Sequence, residues 1–204
     1  MQTVELDYQS LHPYMLYAIA GINPGQTDLY DISEYTDIDE EEFFNITSIK
    51  FRKFVKKLTL IMINKGSKRN SAHKPLIEQI EEDYVLTEKC KNYLTKDLVN
   101  SISKSILDKH CGIEEYFYCK GKVFNGDRDL MNIDSEICAK IRKLFLAKKL
   151  GIISLHDSFV VDVHHEDLLL ESMVTIFKEV LNCDFAPPVS RIELGRDEHV
   201  YRFN

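Results

Sequence analysis

The 204-residue sequence lacks any apolar run long enough to cross a bilayer, because the longest one, Leu58–Ile63, is far too short. The N-terminus also lacks the order of basic, apolar and small residues that marks a signal peptide. These two absences argue against a membrane protein and against a secreted one. We therefore expect a cytoplasmic protein with no membrane partner.

Cysteine is present, but in the wrong pattern for a disulfide framework or a zinc site. The five residues, Cys90, Cys111, Cys119, Cys138 and Cys183, are odd in number, and no pair has C-x-x-C spacing. Buried, reduced thiols are the better interpretation. Internal repeats, low-complexity stretches and flexible linkers are also missing. The length indicates one domain with a sizeable core, or a domain with an appendage.

An excess of positive charge is lacking too, since the net charge is −7, and this argues mildly against a nucleic-acid partner. The charges are sorted along the chain, however. An acidic cluster at residues 37–42 precedes a stretch, residues 50–74, that contains cations and no acidic residue. The cations are Lys50, Arg52, Lys53, Lys56, Lys57, Lys65, Lys68, Arg69 and Lys74. Such sorting can make a local phosphate-binding surface, although a solvated amphipathic helix explains it equally well.

Periodicity and turn residues predict the order of elements. A strand is expected at Thr3–Tyr8, followed by a helix that opens around Ser10–Pro13 and ends at Gly21. Further helices are expected at Leu29–Tyr35, from about Asn45 to Asn64, across much of 74–118, from about Leu130 to Leu150 and at Glu166–Leu181. A turn is predicted at 125–127, a strand hairpin with its tip at His156–Ser158, and terminal strands at 191–194 and 200–203. This order indicates an α+β fold in which helices cover one face of a small antiparallel sheet.

Two aspartates stand at the ends of predicted strands. Asp7 is delivered to the end of the first strand, directly before a helix, and Asp157 lies at the tip of an otherwise apolar hairpin. Each residue alone is more often a turn or cap residue. A metal centre on a sheet, however, also needs carboxylates in such places. Any pairing of the two must be made by the fold.

The spacing of Arg52 and Lys56 places both cations on one face of the predicted helix, because residues i and i+4 are neighbours there. Two cations that project in one direction suit the binding of a triphosphate. A basic stripe exposed to solvent is the alternative.

In this order, the three motifs resemble those of family A nucleic-acid polymerases. L-D-Y-Q-S-L-H-P-Y-M-L-Y-A-I-A-G, at Leu6–Gly21, is similar to motif A, Arg52-x-x-x-Lys56 to motif B of the fingers, and His156-Asp157 at a hairpin tip to motif C. The helix D-S-E-I-C-A-K-I and the tail F-A-P-P-V-S-R-I-E-L-G resemble, more loosely, the template-tracking helix and the last strand of that family. The resemblance runs from residue 3 to about 200, with 75–130 unassigned, and rests on the joint order of individually weak motifs.

The resemblance implies a palm-like sheet region at 1–22 and 125–204 and a reduced, helical fingers region at about 23–124. It implies nucleotide transfer from a nucleoside triphosphate to a primer 3′-hydroxyl, with a DNA primer–template as partner and two Mg²⁺ ions, or Mn²⁺, as cofactors. The metal ligands would be Asp7, Asp157 and the carbonyl of Tyr8; the nucleotide contacts Arg52, Lys56, His12 and Asn64; and the nucleic-acid contacts Lys57, Lys68, Arg69 and His156.

Three positions depart from the family pattern. His12 stands where the DNA polymerases carry a glutamate that excludes ribose, and Asn64 stands where a tyrosine is usual. Motif C reads H-D-S rather than H-D-E, as in single-subunit phage-type RNA polymerases, a more distant resemblance. The choice of sugar therefore stays open, although D-Y in motif A favours DNA synthesis.

The chain begins at motif A and has no room for a thumb or an exonuclease domain. We expect a fragment, one part of a split polymerase with a separate chain supplying those functions, or a minimal palm-and-fingers protein. A phage or mobile element as the source would place the protein in the host cytoplasm. The alternative from a different class is a non-catalytic polymerase-like module that binds nucleic acid or a partner chain.

Overall fold

The computed structural model describes residues 2–64, 72–119, 122–123, 128–192 and 199–203. Its helices are α1 (Leu11–Ile19), α2 (Glu40–Thr47), α3 (Phe51–Asn64), α4 (His73–Asp83), α5 (Glu88–Tyr93), α6 (Lys96–Lys109), α7 (Leu130–Ala147) and α8 (Glu166–Leu181). Its strands are β1 (Thr3–Tyr8), β2 (Lys122–Val123), β3 (Arg128–Asp129), β4 (Ile152–Leu155), β5 (Ser158–Asp162), β6 (Val189–Ile192) and β7 (His199–Tyr201). Short 3₁₀ helices lie at Ser33–Tyr35, Cys111–Tyr116 and Val163–His165.

The chain divides into two compact units, one formed by Met1–Thr27 with Val123–Asn204 and the other by Asp28–Lys122. The assignment of 1–22 and 125–204 to a palm and of 23–124 to fingers stays a prediction. Within the described ranges, no helix is both long and apolar enough to cross a membrane.

A five-stranded sheet of order β4-β5-β1-β6-β7 forms the centre of the first unit. Each pair of neighbouring strands in it is antiparallel. Together with the surrounding helices, this sheet confirms the predicted α+β class.

Alternation along β1 decides which side chains enter the core of this unit. Val4, Leu6 and Tyr8 are buried, and the ring of Tyr8 packs on Phe177 of α8 with centroids 6.2 Å apart. The hydroxyl of Tyr8 donates a hydrogen bond of 2.6 Å to the carbonyl of Met173 in α8. The helices therefore cover the face of β1 that bears Leu6, and Asp7 lies on the opposite face.

The second unit is helical and packs around the apolar side of α3. Phe54, Leu58 and Met62 are fully buried there. The ring of Phe43 in α2 meets Phe51 and Phe54 edge-on, with centroid distances of 5.1 and 5.0 Å. This aromatic cluster fixes the buried side of α3 and leaves Arg52 and Lys56 exposed.

The prediction of one helix from about Asn45 to Asn64 is wrong, because the chain forms α2 and α3 with a break between them. Ser48 has a left-handed backbone with a φ of 61°, and it ends α2. The hydroxyl of Thr47 also accepts a hydrogen bond of 3.1 Å from the backbone N–H of Ile49. Such local bonds compete with helical ones, so the chain turns before α3 begins.

The predicted helix at Leu29–Tyr35 is largely wrong, since only Ser33–Tyr35 is helical, as one 3₁₀ turn. The carboxylates of Asp28 and Asp31 accept hydrogen bonds of 3.0 Å from the backbone N–H groups of Tyr30 and Ser33. These Asx turns fix a non-helical path.

The remaining predicted elements differ from the structure mainly at their ends. α8 has the predicted bounds, whereas α7 ends at Ala147 rather than Leu150. The terminal strands β6 and β7 begin earlier than predicted. The predicted turn at 125–127 lies outside the described residues.

Candidate functional site

The register of the sheet brings together the two aspartates that the sequence singled out. β1 lies between β5 and β6, and Asp7 is paired with Ser158 on one side and Ser190 on the other. The backbone N–H of Tyr8 donates to the carbonyl of Asp157 at 3.3 Å. Because β1 and β5 are antiparallel, the end of β1 meets the start of β5, so Asp7 pairs with Ser158, and the next residue of β1, Tyr8, is bonded to Asp157 in the hairpin turn. Asp7 and Asp157 are both half-buried.

The β4–β5 hairpin closes with His156 and Asp157 between the paired residues Leu155 and Ser158. His156 adopts a left-handed backbone with a φ of 54°, which is uncommon for a residue other than glycine. The hydroxyl of Ser158 donates a 3.1 Å hydrogen bond to the carbonyl of Leu155. This bond ties the tip together, and the imidazole of His156 is exposed.

Helix α7 brings Cys138 to the tip, with Asp134 beside it. Both lie in the segment D-S-E-I-C-A-K-I, but neither was predicted as a site residue. The sulfur of Cys138 lies 3.3 Å from the carbonyl oxygen of His156 and 3.5 Å from a carboxylate oxygen of Asp134. Burial raises the pKa of the Cys138 thiol to about 12, and the charges of Asp134 and Asp157 act in the same direction. Cys138 is therefore a neutral thiol at neutral pH. The i, i+4 spacing of Asp134 and Cys138, on the helix before the hairpin, was the available signal.

The other predicted residues of the first unit lie close to β1 in the chain. Tyr8 is the last residue of β1, and its side chain is buried, so that only its carbonyl was a candidate ligand. His12 is the second residue of α1 and is half-buried.

In the second unit, α3 carries the two predicted triphosphate contacts. The guanidinium carbon of Arg52 lies 5.7 Å from the ring centroid of Tyr30, and the amino group of Lys56 lies 5.9 Å from the same centroid. Arg52 also forms a two-point ion pair with Asp28, in which Nε donates to Oδ2 and Nη2 donates to Oδ1 at 3.1 Å. Neither partner could be predicted from the periodicity of α3, because both lie in a loop more than 20 residues away.

A groove of about 710 Å³ runs between α3 and α4. Lys57 spans it, with its amino group 2.9 Å from a carboxylate oxygen of Asp83. Asn64, at the end of α3, donates from its amide to the carbonyl of Leu60 at 2.9 Å. The lining residues are Lys53, Lys56, Lys57, Leu60, Ile61, Asn64, Pro75, Gln79 and Asp83.

Lys68 and Arg69, the other predicted nucleic-acid contacts, lie outside the described residues. The groove nevertheless collects three of the predicted site residues, Lys56, Lys57 and Asn64. Its lining combines the apolar side chains of Leu60, Ile61 and Pro75 with the lysines Lys53, Lys56 and Lys57.

Comparisons with known proteins point to the fold. No protein-family model and no curated protein sequence matches the chain. Among solved structures, it is similar to the POL domain of Pol1 from M. smegmatis, in complex with DNA primer-template and dNTP, at a TM-score of 0.53 and 11% sequence identity. The match covers 94% of this chain and 39% of that one, so the chain spans well under half of that structure. At this identity the likeness shows a polymerase-like fold.

Proposed function

We propose that this chain is a polymerase-like nucleotidyltransferase, which adds nucleotides to a primer 3′-hydroxyl on a DNA template. The observation that supports it best is the pairing of β1 with β5 in a polymerase-like fold, which pairs Asp7 with Ser158 and bonds the backbone of Tyr8 to that of Asp157. Nothing local in the sequence explains why the fold brings the backbones of two aspartates so far apart in the chain to one hairpin tip. A shared metal ion would explain it, because two carboxylates can both be ligands of a divalent metal ion.

The donor atoms at the tip fit Mg²⁺ or Mn²⁺, which prefer hard oxygen ligands. Asp7 and Asp157 supply carboxylates, and the carbonyl of Tyr8 is a further candidate. Among the described residues, no group of three or more histidine, cysteine, aspartate and glutamate side chains could hold a metal ion. A pair of carboxylates suffices where water and substrate phosphates complete the coordination, as is usual for Mg²⁺. When bound, two such ions neutralise developing charge and align an in-line displacement.

Arg52 and Lys56 would bind the phosphates of the incoming nucleotide, because they are exposed cations on one face of α3. Their charge would stabilise the negative charge that develops on those phosphates during transfer. His12 and Asn64 are the proposed contacts to the nucleoside. Lys57, Lys68, Arg69 and His156 are the proposed contacts to the nucleic acid, which would make the affinity for DNA dependent on salt.

Extension of a primed DNA template tests the proposal. We expect Asp7→Asn and Asp157→Asn each to lower the rate of incorporation at least about a hundredfold, by the loss of charge stabilisation. Asp162→Asn, at the other end of β5, is the matched control. Its side-chain oxygen caps the backbone N–H of His164 at 3.0 Å, a role that asparagine keeps.

Incorporation by Asp157→Asn at the wild-type rate would overturn the site assignment. Salt-sensitive DNA binding without any incorporation, with or without Mg²⁺, would instead support the non-catalytic module. Competition between dNTP and NTP in the same assay separates DNA synthesis from RNA synthesis.

A further inference from the structure

The segment Asp28–Asp31 is held against α6 by its backbone. The amino group of Lys109 donates to the carbonyl of Asp28 at 3.1 Å and also to that of Asp31. The neighbouring His110 donates from Nε2 to the carbonyl of Leu29 at 3.0 Å. These bonds fix the path of the segment, so its side chains have defined positions.

Two side chains of this segment meet the cations of α3. Asp28 accepts two hydrogen bonds from the guanidinium of Arg52. The centroid of the Tyr30 ring lies within 6 Å of the charged groups of both Arg52 and Lys56. Tyr30 is buried, so its ring is a fixed surface for the two cations. Cations near an aromatic face are attracted to it and lose freedom. Tyr30 thus orders the pair, and Asp28 adds a negative charge to it.

The ion pair of Asp28 with Arg52 is exposed, since 34% and 50% of the two side chains are accessible to solvent. Exposed pairs contribute little to folding, and the Asx turn at residue 28 needs only a side-chain oxygen, which asparagine also has. Stability alone therefore gives little reason for a negative charge at residue 28. Such a pair can also open at little cost. A carboxylate on the proposed phosphate-binding arginine competes with phosphate for the same charge.

We propose that Asp28 is an affinity-determining residue. It acts as an internal counter-anion on Arg52 and weakens triphosphate binding, because the triphosphate must displace it or compete with it for Arg52. The inference rests on the proposed function only in taking α3 as the triphosphate-binding helix. Asp28 acts through Arg52, so it is a positioning residue rather than a catalytic one. Lys56 lies over the same ring.

The two carboxylate oxygens of Asp28 have separate roles, which makes a sharp variant available. Oδ1 accepts from the backbone N–H of Tyr30 at 3.0 Å and from Nη2 of Arg52 at 3.1 Å. Oδ2 accepts from Nε of Arg52. Asp28→Asn can keep an oxygen at the Oδ1 position, and with it the turn, while it removes the negative charge.

The test is calorimetric titration of the full chain with inorganic tripolyphosphate at low ionic strength. We expect Asp28→Asn to lower Kd about fivefold, because the charge of Arg52 near the protein surface is then no longer neutralised by a carboxylate. Glu34→Gln removes the same charge from an exposed position of the following 3₁₀ turn, and it should change Kd by less than about twofold. In an Arg52→Gln background, Asp28→Asn should have no effect.

An unchanged or weaker affinity in Asp28→Asn overturns the inference, and so does a tightening that persists in the Arg52→Gln background. Absence of tripolyphosphate binding by the wild type overturns it as well. In primer extension, the same variant should lower the KM for the triphosphate and leave kcat unchanged. If the binding results appear but no primer is extended, the proposed function fails and the counter-anion stands. If primers are extended but Asp28→Asn binds like wild type, only the counter-anion fails.

Discussion

Acid should destabilise the second unit through His110, the residue that anchors the segment carrying Asp28 and Tyr30. His110 is fully buried, its Nε2 donates to the carbonyl of Leu29 at 3.0 Å, and its ring lies 5.9 Å from that of Phe117. Burial lowers the pKa of His110 from 6.5 to about 4, although the bond to Leu29 acts in the opposite direction. The folded protein therefore holds a neutral imidazole at pH values where the unfolded chain binds a proton.

The sign of the effect follows from proton linkage. Below pH 6.5 the unfolded chain binds a proton that the folded chain excludes until about pH 4, so the free energy of unfolding falls as pH falls through this window. At 1.36 kcal/mol for each pH unit, the loss between pH 6.5 and 4.5 is about 2–3 kcal/mol. The stabilisation is fully present above pH 6.5.

Urea unfolding followed by circular dichroism, at several pH values from 7.5 to 4.5, measures this loss. We expect His110→Gln, which can still donate to Leu29, to be less stable than wild type at pH 7.5 and to lose less stability on acidification. His73→Gln controls for the exchange of a histidine for glutamine, because His73 makes a similar ring-to-carbonyl contact of 2.7 Å with Leu94. An equal slope in His110→Gln and wild type would refute the reasoning.

Two stability predictions concern the cores of the two units. Tyr8→Phe removes the buried hydrogen bond to the carbonyl of Met173 and should cost about 1–3 kcal/mol in urea unfolding, because the carbonyl then stays buried without that donor; no measurable loss would show that the carbonyl finds another donor. Phe43→Ala empties the centre of the aromatic cluster around Phe51 and Phe54 and should cost about 3–5 kcal/mol. A loss below about 1 kcal/mol would mean that the cluster collapses without strain.

The sequence predicted those parts of the fold whose signals are local. The alternation of β1, the apolar periodicity of α8 and the hairpin around Asp157 each identify an element within a few residues. The predicted elements were wrong where polar side chains form hydrogen bonds with the nearby backbone. Asp28, Asp31 and Thr47 all do so, and such bonds replace a helix by turns in a way that hydrophobic periodicity does not reveal.

In the candidate site, too, some features could be predicted from local sequence signals and others could not. Its residues could be proposed from strand ends and helical spacing, but their partners could not. Asp28 meets Arg52, and Cys138 meets the tip at His156, only because the chain folds back on itself. The register of β1 against β5 could not be predicted from the sequence either, although a shift of one residue would move Asp7 to the other face of the sheet. Polar partners distant in sequence leave no periodic trace.

Binding of Mn²⁺ to the full chain, followed by the loss of the free-ion EPR signal, tests the central claim most directly. The claim is that Asp7 and Asp157 hold a divalent metal ion together. We predict that the wild type binds Mn²⁺, that Asp7→Asn and Asp157→Asn each weaken binding at least about tenfold, and that Asp162→Asn binds like the wild type. Equal Mn²⁺ affinity in Asp157→Asn and the wild type would contradict the account.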